Sequence, residues 1–539
     1  MKSLYLKPNV VIEPLYDRWY AWSHLISPAT AAMNIVGRHL KIMNSYLQAP
    51  QIHAAAVKNP KMLGGPFMDL KGGRVNEVKQ LVNDTVEKQK ELLSFCESIK
   101  ELDRMLKHEA KGFSLESLYA SIPEELKGYV ELVYDLNNNA SFRFFESLLY
   151  KSKFYNESSQ SIALWVTQND ERPFALSTPK LDDDNVIHLN IPFNSPAIDA
   201  LAKMKRIPGE INVIKEMIDL NPEQEELFDS MFTETPPTAY EKYEGDKIRM
   251  RYFGHACILV ETKDVSILVD PLISYYGYQS DVARFSDMDL PEVIDYVLIT
   301  HNHQDHILFE TLLPLRHKIR NLVVPRTSGG ALQDPNLKLM FNKIGFENVI
   351  EIGEMETINF KDCQITGIPF IGEHCDLNIQ AKICHHVNVG DFSILFAADS
   401  CNVAPELYQH IQKEIGDLDV VFLGMECDGA PLTWLYGPLL TEELSRDKDS
   451  SRRLAGSNFE RGMDLVNIFN PKEVYVYAMG MEPWLEFISS IKYTDASHPI
   501  VASNKLIEQW RMKGGIAERL YGEKELLYNK SIAFVESAI

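Results

Sequence analysis

The run YVLITHNHQDH closes an apolar, strand-like segment with a loop holding three histidines and one aspartate in positions 300–306. Few features constrain a chain more. So many ligand-type groups in one loop require a rigid scaffold that delivers further ligands from elsewhere. His301 and His303 are two residues apart, so both point to one side if the strand direction persists, and they can chelate one ion. Asp305 and His306 follow where the chain turns and can reach a second ion. Asp399, far along the chain, ends FAAD, and its two oxygens can bridge a metal pair. Imidazole with carboxylate suits zinc, iron or manganese, and the lack of a cysteine in the loop argues against a soft-metal site.

From Lys247 onward the chain supplies such a scaffold. IRMRYFGHACILVET, VSILVDPL, DYVLITHNH, NLVVP, QITGIPF, FSILFAADS, DVVFLGM and EVYVYAMG read as short strands. ETLLPLRHKI and PELYQHIQKEI between them read as helices, a layered α/β pattern. Gly254-His255 falls within one strand region, and Asp270, His301 and Asp399 end others, where layered sheets place their active sites.

The first 245 residues differ. Residues 76–110 repeat apolar side chains at helical spacing and predict one long amphipathic helix, packed in the core or forming a dimer contact. Ser121 and Glu124 are spaced as a capping box and predict a second helix over SIPEELKGYVELVYDL. SIALWVTQ and NVIHLNIPF read as strands. Residues 219–247 are acidic, carry Pro222, Pro236 and Pro237, and read as the connection. The expected domains are 1–245, mixed α+β, and 246–539, the metal-binding α/β unit.

The formal net charge of −22 argues against nucleic acid and anionic membrane as partners. The seven cysteines are scattered without a C-x-x-C and read as reduced thiols. The N-terminus lacks the apolar core of a signal peptide, and no apolar stretch reaches the ~18 residues of a membrane span. The expectation is a cytoplasmic protein.

The H-x-H-x-D-H loop, with FGHACILVE, ILVDP and FAADS in order, resembles the metallo-β-lactamase superfamily. That resemblance implies an αββα sandwich and a dinuclear metal site. Its variable ligand falls in PFIGEHCDLNI, which offers Glu373 and His374. Adjacent residues on an extended segment point opposite ways, so one of the two ligates. His374 would make a dizinc hydrolase acting on a phosphoester, lactone or amide through metal-bound hydroxide. Glu373 would make a set of three histidines and three carboxylates. The late histidine of the hydrolases has no good counterpart, since His410 sits on a helix and His498 in DASHPIV.

The chain as a whole, including YLKPNVVIEPLYDRWYAWSHLISPATAAMNI and MGMEPWLEF, is similar to the diiron β-hydroxylases of nonribosomal peptide pathways, an antibiotic-forming group. The resemblance implies one iron on His301, His303, Glu373 and Asp399, and a second on Asp305, His306 and Asp399. It implies O2 as co-substrate and an external electron donor. The implied partner is a nonribosomal peptide synthetase carrier domain bearing an aminoacyl thioester, and the N-terminal half would serve homodimerisation or docking. Zinc cannot supply the redox chemistry. A carrier-binding scaffold with a vestigial site is disfavoured by the intact loop.

Other residues carry weaker signals. Glu426, with Asp428, follows a strand and could act as an acid that orients water or a ligand; loop hydrogen bonding is the plain alternative. Asp270 is placed to hold a ligand histidine by its second nitrogen, or simply to cap its loop. His255 reads as structural or as a support behind the ligands, with direct ligation the lesser alternative; His385-His386 need no function, and Trp434, Tyr436, Tyr477 and Trp484 read as packing or channel lining.

Overall fold

The computed structural model describes residues 3–278 and 280–529. Two seven-stranded sheets face each other in the C-terminal half. The first runs Val349–Ile352, Ile319–Pro325, Ile294–Leu298, Ser266–Val269, Cys257–Glu261, Lys247–Gly254 and Lys524–Asn529. The second runs Thr357–Phe360, Cys363–Pro369, Ile383–Val389, Phe392–Phe396, Val420–Gly424, Glu473–Tyr477 and Ile516–Arg519. Each sheet is antiparallel on one side and parallel on the other.

The sequences explain the layering. SILV, FSILF and VVFLG are buried at every position, the continuous apolar run of a strand covered on both faces. Ile258, Val260, Ile267 and Val269 meet Ile365, Val387, Ile394 and Phe422 between the sheets. Outside the second sheet, helices Pro405–Ile415, Phe459–Phe469 and His498–Met512 pack on Leu395, Val421, Leu423 and Val476. Outside the first lie the helices Phe309–Leu315 and Leu337–Lys343 and the N-terminal half itself. One core is continuous from Trp22, Leu25, Ile26 and Phe95 into Phe253, Leu259, Leu268, Phe309 and Leu313. Polar contacts reinforce that seam: the Arg172 guanidinium pairs with both oxygens of Glu310 at 2.8 and 2.9 Å. Glu310 lies on the helix that follows the histidine loop.

The N-terminal half departs from its sequence reading in three places. Residues 76–110 form two helices, Val75–Lys88 and Lys90–Glu109. Gln89 between them turns its amide onto Ser159 Oγ at 2.6 Å and onto Asp17. The two helices serve different cores, Val78 and Leu81 in one and Leu92, Phe95, Ile99, Leu102 and Leu106 in the other. The Ser121–Glu124 pair caps no α-helix: 3-10 turns at Glu116–Ser121 and Glu124–Leu126 lead into a hairpin of Val130–Tyr134 with Ala140–Phe144. Pro123 interrupts the box, and Glu125 accepts hydrogen bonds from Ser94 and Ser98 on the neighbouring helix. Within 219–247, a helix Glu225–Ser230 and a strand Phe232–Thr233, paired with Ser3–Leu6, precede the irregular stretch. Among the described residues no helix is long and apolar enough to cross a membrane.

Candidate metal centre

The histidine loop leaves the end of Ile294–Leu298 and meets the second sheet at the start of Ile383–Val389. Ile383 N donates to Thr300 O at 2.7 Å, and His301 bridges Lys382, so the second sheet pins the loop's first turn. His301 Nε2 and His303 Nδ1 lie 3.1 Å apart. Glu373 Oε1 is 3.0 Å from His303 Nδ1. Asp399 Oδ2 is 3.2 Å from His306 Nε2 and 3.9 Å from His301 Nε2. Ligand-type atoms converge within 4.8 Å in three overlapping sets: His301–His303–Glu373, His301–His306–Asp399 and His255–Asp305–His306.

These residues fit a metal pair. Glu373 Oε2 and Asp399 Oδ1 are buried without a hydrogen-bond partner, a costly state for a carboxylate oxygen unless a cation satisfies it. The first two sets share His301, and Asp399 stands between histidines of both. The donors are imidazole and carboxylate only, a set suited to iron or zinc.

The segment that carries Glu373 and His374 is not extended, so the two side chains do not simply alternate as on a strand. The segment is a turn, with Gly372, Glu373 and Cys375 at φ of 79°, 62° and 56°. Glu373 therefore aims inward. His374 stacks on His303 with ring centres 4.5 Å apart and joins none of the three sets. Its Nδ1 lies 2.8 Å from Glu373 Oε2 without hydrogen-bonding alignment. His255, Asp270 and Ala398 also have positive φ, at 52°, 38° and 45°. Such strain in non-glycine residues gathers where function fixes the backbone.

Partners behind the donors hold them. Asp270 Oδ2 lies 2.8 Å from His306 Nδ1 and accepts from Thr300 Oγ1, while Oδ1 accepts from Thr300 N at 2.8 Å. This is the second-nitrogen contact anticipated for Asp270. The Tyr436 hydroxyl hydrogen-bonds His303 Nε2 at 2.7 Å, a contact that its reading as packing or channel lining did not include. His255 sits in the turn between two strands rather than within one, and its Nε2 is 3.3 Å from Asp305 Oδ2. Gly254 permits that turn: at φ 108° a Cβ would lie 2.8 Å from the Trp484 ring. Ser23 of the N-terminal half donates to Asn302 Oδ1 in the loop at 2.5 Å. These contacts join segments remote in sequence, so no local pattern announces them.

The remaining candidates fall elsewhere. His410 is exposed, and His498 faces Asp428 at 3.2 Å, away from the donors. His385 bonds Ile299 O and His386 bonds Ser393, both structural. The Tyr477 hydroxyl accepts from Ala398 N at 3.1 Å and so steadies the turn before Asp399. Glu426 Oε1 accepts from Asp428 N and Gly429 N, Oε2 accepts from Tyr493, and burial pushes its pKa up. Glu426 nevertheless lines the same cavity of about 460 Å³ as Glu373 and Asp399. That cavity is walled by both halves of the chain, with Arg38, Leu63, Phe174 and Leu176 facing Trp434 and Tyr493.

Comparison with known proteins places the chain. Residues 5–236 match the diiron non-heme β-hydroxylase N-terminal domain, and residues 249–433 the β-lactamase superfamily domain. The 4-amino-L-phenylalanyl-[CmlP-peptidyl-carrier-protein] 3-hydroxylase of Streptomyces venezuelae is 39% identical over 97% of this chain and 99% of its own. The chain belongs to the diiron β-hydroxylase family. Consistently, the crystal structure of CmlA, a diiron β-hydroxylase from Streptomyces venezuelae, superposes with a TM-score of 0.92. That match has 38% identity and covers 98% of this chain and 100% of CmlA. This β-hydroxylase is a non-haem diiron monooxygenase, with the αββα catalytic sandwich behind its N-terminal domain.

Two expectations follow from the geometry. In the metal-free protein burial works against protonation of His303 and His306. Glu373 outweighs it at His303, and Asp270 and Asp399 outweigh it at His306, so both pKa values rise above the ordinary 6.5. A metal ion must displace those protons. Metal affinity should therefore begin to fall while the pH is still above 6.5. Competition against a chromophoric chelator across the neutral range measures this, and an affinity constant down to 6.5 contradicts it. Second, a Cβ at Gly424 would meet Asp399 Oδ1 at 2.5 Å and Ala398 O at 2.7 Å. Gly424→Ala should cost about 1–3 kcal/mol of stability and weaken metal binding roughly 10- to 100-fold. Unchanged metal affinity in a titration would contradict the role given to Asp399.

Proposed function

We infer that this protein β-hydroxylates an amino acid held as a thioester on the phosphopantetheine arm of a nonribosomal peptide synthetase carrier domain. O2 is the co-substrate, and an external donor supplies electrons. The observation that carries the reading is the donor set, with Glu373 turned into the centre and His374 stacked aside. We assign His301, His303, Glu373 and Asp399 to one iron, and Asp305, His306 and Asp399 to the other. Bound there, the iron pair supplies the redox equivalents that C–H cleavage needs and side chains lack.

The chain's own residues do the rest. Asp399, 3.2 Å from His306 Nε2 and 3.9 Å from His301 Nε2, would be the residue shared by the two ions. Asp270 and Tyr436 hold the far nitrogens of His306 and His303, fixing ring orientation. Phe174, Leu176, Trp434, Ile488 and Ile491 supply apolar wall beside the carboxylates, where a side chain can lie with water excluded. Glu426, raised in pKa by burial and bonded to Tyr493, is suited to hold a proton at that wall. Support for the substrate comes from the Streptomyces venezuelae relative, whose name specifies an aminoacyl group on a peptidyl carrier protein.

The test presents the reduced protein with carrier domains each loaded with one amino acid, under isotopically labelled dioxygen. The expected result is one loaded carrier that gains a single labelled oxygen at the β-carbon. Release of the amino acid from the carrier without oxygen gain would contradict the reading and favour a hydrolase.

A further inference from the structure

Arg38 stands in the wall of the catalytic cavity, with no carboxylate paired to it among the described residues. It lies on the π-helical turn Ile35–Leu40 of the N-terminal half and is only 7% exposed. Its Nε donates to Asn34 Oδ1 at 3.2 Å, and its Nη2 to the carbonyls of Trp434 and Leu435 at 2.9 and 2.8 Å. Among the described residues no carboxylate pairs with it, and its Nη1 makes no hydrogen bond. Burial alone shifts it, to about 10, so it stays charged at neutral pH.

A buried guanidinium without an anion is an expensive arrangement. The fold commits several features to it. A π-turn inside a helix is rare and marks functional positions. Gly37 lets this one approach closely, since a Cβ there would sit 2.9 Å from Pro438 Cα. The turn thereby brings Arg38 onto the 434–438 segment, beside the tyrosine that holds His303. Arg38 and Trp434 also divide the catalytic cavity from an adjoining groove of about 770 Å³, lined by both residues.

We propose that Arg38 is the substrate-recognition residue of this site, its free Nη1 donating to the thioester carbonyl oxygen of the carrier-bound aminoacyl group. The proposal rests on the substrate reading above. Among the described residues no protein atom uses the two N–H groups of Nη1. A fixed guanidinium donates to a carbonyl oxygen and repels an ammonium, so it sorts the two polar groups on the α-carbon, next to the reacting β-carbon. The thioester carbonyl is two bonds from the β-carbon. A donor in the same wall as Glu373 and Asp399 can therefore hold it while the β-carbon faces the metal ligands.

Two probes test this: the carrier loaded with the amino acid that the protein hydroxylates in the screen above, and an analogue with a methylene in place of the thioester carbonyl. Wild type should bind the thioester roughly 10- to 100-fold more tightly, the worth of one charge-assisted hydrogen bond. Arg38→Gln should bind the two probes alike while keeping wild-type metal content. Arg38→Lys, which keeps the charge, should recover part of the preference. Undiminished preference in Arg38→Gln overturns the contact. Loss of metal in both variants overturns it too, by assigning Arg38 to support of His303. A screen that yields no hydroxylated carrier overturns the substrate reading, and this proposal with it, before either probe is made, which separates that failure from the first.

Discussion

Replacing Asp399 by alanine is expected to empty both metal positions and reduce hydroxylation to background. The residue ends the strand Phe392–Phe396 through a turn in which Ala398 is left-handed, at φ 45°. That strained turn is held by Tyr477 and Gly424, one bonding Ala398 N and the other leaving room for the carboxylate. The result is a carboxylate whose Oδ2 faces His306 and, more distantly, His301, while Oδ1 is unpartnered. No other carboxylate occurs in the second convergent set. Deleting it removes the shared anion, leaving two cations close together with less negative charge between them. Elemental analysis of the purified variant measures the outcome. Full occupancy of one position would show that Asp399 does not join the two.

Glu373→Ala and His374→Ala are adjacent substitutions with opposite expected results. Glu373→Ala should strip the ion bound with His301 and His303 and end activity, because it removes the only carboxylate of that set. His374→Ala should leave metal content near wild type, since its ring stacks on His303 and it joins none of the three convergent sets. The loss of the stack should cost metal affinity no more than roughly 10-fold, the lower end for a supporting residue. An empty site in His374→Ala with metal retained in Glu373→Ala would reverse the assignment and restore the zinc-hydrolase pattern.

The legible part of this site is the part written locally. HNHQDH crowds its donors into one loop at a strand end, and FAAD repeats that logic, so their convergence is readable before any fold is known. The choice at 373–374 is less so, because it depends on a left-handed turn that no extended-strand rule describes. Tyr436 on His303, His255 beside Asp305 and Arg38 in the cavity wall each join segments far apart in the chain. Only tertiary packing places them. The same limit explains the N-terminal half. The spacing over 76–110 identifies helical, core-facing residues but not the break at Gln89, which two separate cores impose. The Ser121–Glu124 box matches a helix start, yet Pro123 and the pull of Ser94 and Ser98 on Glu125 divert it into a hairpin. Strands buried on both faces, such as SILV and VVFLG, are read more securely because their composition reflects their surroundings.

The central claim is that these residues form a redox-active iron pair, and metal analysis with optical spectroscopy tests it most directly. Freshly purified protein should contain two iron ions per chain, as its family membership implies, with near-ultraviolet absorption that bleaches on reduction with dithionite. Two zinc ions, no chromophore and no response to reductant, persisting after expression in iron-supplemented medium, would contradict it.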